Sequence, residues 1–137
     1  MSQQHHLRSP SPDWGYLLDS LCRTPGIHGA IATSSDGMLQ AHRGLDQDVA
    51  ETLAASTSGL SSLANATARV LGQGVVTRNL IEYERGYLFV DTVTNLWVLA
   101  VVTGPDADLG QVGFEMNRLA EAVGGVLEPA ARGPRAG

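Results

Sequence analysis

The chain has 137 residues, 43% hydrophobic content and a formal net charge of -5, which suits one soluble domain with a proper core. All nine basic residues are Arg, against fourteen acids, so there is no basic stripe to hold nucleic acid or an anionic membrane surface. One cysteine, Cys22, excludes a disulfide framework and a cysteine metal cluster, and the absence of a bilayer-length apolar run or a signal peptide makes a cytoplasmic location the expectation.

In chain order, residues 1–10 are polar and without periodicity, and are expected to be a disordered tail. Ser11-Pro12-Asp13 reads as a helix start, with a capping hydroxyl, Pro at the first helical position and an acid in the first turn. Trp14, Leu17, Leu18 and Leu21 then form one apolar stripe on a short helix. Ile27–Thr33 is the first strand, Ser34-Ser35-Asp36-Gly37 a turn, and Met38–His42 the returning strand.

A long helix is expected over Leu45–Leu71, capped by Asp46 and stopped by Gly72-Gln73-Gly74. Val49, Leu53, Ser56, Leu60, Leu63, Thr67 and Val70 repeat along it with helical spacing. No charge occurs from Thr52 to Ala68, and the outer face reads Ala55, Ser58, Ser62, Asn65. An ordinary surface helix keeps charge outside. Such a flank either packs on a helix of another subunit or partner, or is a plain Ser/Ala-rich surface.

Val75–Tyr83, Tyr87–Val93 and Leu96–Val102 read as a three-stranded antiparallel meander. The third strand is apolar on both faces and belongs in the middle of a covered sheet; Val76–Tyr83 mixes in polar residues and belongs at an edge. Asp108 and Gln111 form a capping box for a last helix carrying Leu109, Val112, Met116, Leu119, Ala120 and Val123, ended by Gly124-Gly125. Residues 128–137 are a Pro/Ala/Gly/Arg tail. The result is one domain over 11–127, a three-layer α+β unit with the order α-β-β-α-β-β-β-α.

No catalytic constellation is visible, so no enzyme activity and no cofactor are expected. His28 and His42 lie on one hairpin without a third metal ligand. Cys22 reads as a small core residue. Arg78 and Arg85, in the edge strand and its turn, are either cations for a nucleotide partner or solvated charges beside Glu82 and Glu84.

Pro25-Gly26-Ile27-His28-Gly29-Ala30-Ile31, then Asp36-Gly37-Met38-Leu39, the small-residue helix, the meander and the closing helix resemble the Roadblock/LC7 family. The resemblance spans roughly Trp14–Leu127. It implies an α/β/α sandwich with five antiparallel strands in the order 2-1-5-4-3. It also implies a homodimer made by pairing the edge strand and packing the long helices antiparallel. On that basis Leu53, Ser56, Ser58, Leu60, Ser62, Arg78, Leu80 and Glu82 are the expected dimer contacts, and Ser58→Glu or Ser62→Glu should split the dimer.

Bacterial members work beside a small Ras-like GTPase. Some resemble Mgl-type activators, others conservon-type systems that include a histidine-kinase-like sensor. Ala55, Asn65, Arg69, Arg78 and Arg85 are the partner-facing candidates. A GTPase adaptor or activator is therefore the first reading. A small-molecule sensor and a purely structural dimerisation module are the alternatives.

Overall fold

A computed structural model describes residues 11–127; the tails expected over 1–10 and 128–137 lie outside the described residues. The elements are helix α1 (Trp14–Leu21), strands β1 (Ile27–Ser34) and β2 (Leu39–Arg43), helix α2 (Gln47–Leu71), strands β3 (Arg78–Tyr83), β4 (Gly86–Thr92) and β5 (Trp97–Thr103), and helix α3 (Leu109–Leu127). The strands form one sheet in the order β2-β1-β5-β4-β3, with every neighbouring pair antiparallel.

The doubly apolar strand is central because both of its rows have a layer to fill. Leu99 and Val101 meet Trp14, Leu18 and Leu21 of α1 and Val112, Met116 and Leu119 of α3. Val98 and Ala100 point the other way, toward Ala50 and Ala54 of α2. Two cores thus share one sheet, which is the three-layer arrangement expected from the chain order.

The caps depart from expectation in detail. The N-cap of α1 is Asp13, whose carboxylate accepts from the Tyr16 amide at 3.1 Å, so Ser11 and Pro12 precede the helix. Asp46 occupies the N-cap of α2, but its side chain makes no capping bond. Gly72 closes α2 in the left-handed region, φ 66°, as a glycine stop should. Gly124 and Gly125 do not end α3, which runs to Leu127; helical glycine costs about 1 kcal/mol but stops nothing without a left-handed turn. β3 starts at Arg78, three residues after the expected Val75, and the Val76 amide ahead of it donates to Asn65 Oδ1 at 3.4 Å.

The largest difference concerns α2. Its buried residues are Ala50, Ala54, Thr57, Ser61 and Ala68, one step round the helix from the apolar repeat. The sheet beneath already carries Ile31, Leu88 and Val90, so only small side chains fit between. The larger residues of the repeat are left on a flank.

Candidate functional site

β3 is the last strand of the sheet, and nothing among the described residues pairs with its outer side. The Thr92 amide donates to the Thr77 carbonyl at 3.3 Å, and the ladder continues from Arg78 opposite Asp91 to Tyr83 opposite Gly86. Antiparallel ladders alternate. Odd-numbered residues of β3 therefore turn their backbone groups to β4, while Arg78, Leu80 and Glu82 offer theirs to the open edge. Such an edge is a template for another strand.

Beside the edge runs the displaced flank of α2. Leu53 and Leu60 are half-buried and pack against the same core as Ile81 of β3. Val49 is 51% and Leu63 70% exposed. With Ser56, Thr67 and Val70 they alternate in steps of four and three, the spacing of a helix that mates with another helix. Leu80, on the other face of β3, is 48% exposed.

The structure gathers Leu53, Ser56, Leu60, Leu80 and Glu82 at this edge. It does not bring Ser58 and Ser62 there. Ser58 Oγ donates to the Ser35 carbonyl at 3.0 Å, which ties that side of α2 to the β1–β2 turn, and Ser62 follows one turn later on the same side. Ala55 is exposed, Asn65 is occupied by the Val76 amide, and Arg69 is exposed in the last turn of α2. Arg85 stands almost fully in solvent, 4.0 Å from Glu84.

Arg78 is neither a free cation nor a solvated one. Its Nε and Nη2 donate to the two oxygens of Asp91 at 2.7 and 2.8 Å, and Nη2 also reaches the Gly113 carbonyl and Asn117 Oδ1. The guanidinium lies 5.6 Å from the Phe89 ring centre. The hydrogen bonds to Asp91 raise its pKa further, against the opposing effect of burial. Asp91 is only 4% exposed. Arg78 thus clamps α3 to the edge hairpin, a role that sequence reading missed. Gly113, inside a helix, was the available signal: a Cβ there would sit 2.7 Å from Arg78 Nη1. Gly113→Ala is accordingly expected to lower stability by about 1–2 kcal/mol in urea unfolding, although Ala is the better helix former.

The two histidines do not meet. His42 bonds Leu45 O and Gln47 Oε1, whereas the His28 ring lies against Gly104. Cys22 is half-buried just after α1, and burial, reinforced by Asp19, pushes its thiol up and makes it a poorer nucleophile. No helix among the described residues is long and apolar enough to cross a membrane.

Comparison with known proteins agrees with this geometry. A family model described as Roadblock/LC7 domain matches residues 15–103. The chain is 35% identical to a Roadblock/LC7 domain from Streptomyces avermitilis, with a TM-score of 0.76 over 83% of this chain and 95% of that one. It is 26% identical to MglB solved in a tetrameric arrangement, with a TM-score of 0.75 over 85% and 88% of the two chains. An uncharacterized protein of Methanocaldococcus jannaschii is 32% identical over 108 residues, covering 78% of this chain and 93% of the relative.

Proposed function

The chain belongs to the Roadblock/LC7 domain family, and from that premise we propose that it is a non-enzymatic homodimeric adaptor for a small Ras-like GTPase in the cytoplasm. The observation that carries this reading is the open edge of β3 beside the charge-free apolar flank of α2. A second copy covers both at once, since a twofold axis brings each surface to its own duplicate. The tetrameric arrangement of the MglB relative supports self-association through this fold.

A dimer closed in this way leaves the polar side of each α2, with Ala55, Ser62 and Arg69, free to meet the GTPase. Any acceleration of hydrolysis then works by ordering the GTPase's own residues, with Arg78 held by Asp91 and not free for insertion. A histidine-kinase-like sensor forms no part of this reading.

The test uses the small Ras-like GTPase of the same organism, loaded with GDP or a non-hydrolysable GTP analogue, titrated with the purified chain. One nucleotide state should bind at two chains per GTPase, and phosphate release with GTP shows whether the adaptor also activates. Binding to neither state contradicts the reading. Ser62→Glu is expected to keep the dimer by light scattering and to weaken GTPase binding about tenfold, an uncompensated interface charge costing on the order of 1–2 kcal/mol at a rim position.

A further inference from the structure

We infer that Arg43 closes the second edge of the sheet, so that no strand of another copy adds to β2. This goes beyond the adaptor reading and holds whether or not β3 is paired.

β2 is the first strand in the sheet order and has no neighbour on its outer side among the described residues. Backbone phase determines which of its groups face out. The Ser34 amide donates to the Met38 carbonyl at 2.9 Å, so the even-numbered residues of β1 turn their backbone groups toward β2. Ala41 and Arg43, opposite Ala32 and Ala30, therefore bond inward. Leu39, opposite Thr33, and His42, opposite Ile31, face outward.

Two features spoil that edge for a newcomer. The first is spacing. The β1–β2 register shifts between Ala32 and Thr33, which makes Gln40 an extra, bulged residue. The outward groups of Leu39 and His42 thus stand three residues apart, whereas a regular strand offers them every second residue. The second is occupancy. Arg43 Nη1 donates to the His42 carbonyl at 2.8 Å, which is one of those outward acceptors. Its Nε bonds Asp19 of α1 at 2.6 Å, and this anchor holds the guanidinium over the edge. Gly15 of α1 leaves room for it: a Cβ there would lie 3.0 Å from Arg43 Nη2. An arriving strand has to displace a charge-assisted bond and meets a cation at the end of β2.

The experiment follows amide exchange at His42, whose N–H faces outward and has no acceptor among the described residues. In the wild-type protein it should exchange equally fast at every protein concentration. A variant combining Arg43→Ala with deletion of Gln40 removes the cation and restores two-residue spacing. It keeps Leu39 against the α2 core and Ala41 against the α1 and α3 core. In that variant the His42 amide should slow about tenfold or more in concentrated protein, with a mass by light scattering above that of wild type. Asp19→Ala leaves Arg43 in place but unanchored, and should slow the same amide about threefold. A wild-type His42 amide that becomes protected as concentration rises overturns the proposal. So does a combined variant, folded by tryptophan fluorescence, whose His42 amide is unchanged; if that variant does not fold, Asp19→Ala decides alone.

Discussion

Asp91→Ala is expected to lower stability by about 3 kcal/mol, measured by urea unfolding at fixed protein concentration. Removing the carboxylate strands the Arg78 guanidinium at the edge of the core, with only Gly113 O and Asn117 Oδ1 left as acceptors among the described residues. The cost falls toward the lower end of the usual range because the Arg78 side chain keeps 27% of its exposure. The double variant Arg78→Met with Asp91→Leu should recover most of the loss, since apolar groups of similar volume leave no charge unpaired. Trp14 and Trp97, packed edge to face 5.8 Å apart between α1 and the sheet, give the fluorescence signal. A loss below about 1 kcal/mol for Asp91→Ala would mean that the clamp contributes little.

Leu63→Glu is expected to dissociate the dimer, raising its dissociation constant about a hundredfold or more. Leu63 is 70% exposed in the single chain, so the charge costs the folded monomer almost nothing. In the dimer it has to leave water on a flank that is uncharged from Thr52 to Ala68, and desolvating an unpaired carboxylate costs several kcal/mol. Size-exclusion chromatography with light scattering should show a folded monomer. The contrast with Ser62→Glu, one residue away on the other side of α2, separates the dimer flank from the GTPase side. A dimeric Leu63→Glu protein would place the interface elsewhere.

The strand arrangement was legible because burial leaves a mark on residue choice. Leu96–Val102 is apolar in both rows, and only a central strand under two helical layers needs that. Helix α2 was misread for a related reason. Spacing reveals a stripe but not what the stripe faces, and Val49, Leu53, Leu60 and Leu63 look like a core repeat. The sheet had spent its space on Ile31, Leu88 and Val90, so alanines went underneath and the stripe turned sideways. Ser58 and Ser62 were expected at the dimer from the family resemblance, and the structure puts them on the side of α2 that Ser58 ties to the Ser35 carbonyl. Arg78 was hidden by distance along the chain. Its acceptors lie 13, 35 and 39 residues away, and no local pattern links them. Asp91 within an otherwise apolar strand and Gly113 within a helix were the traces that it left.

Amide hydrogen exchange at Arg78, Leu80 and Glu82, followed residue by residue as the protein is diluted, asks most directly whether a second copy closes the sheet. Those amides face outward and have no acceptor among the described residues, whereas those of Asn79 and Ile81 face β4. Slow exchange at all five in concentrated protein, with only the three outward amides becoming fast on dilution, is the predicted result. Outward amides that exchange at the open-chain rate at every concentration would contradict it.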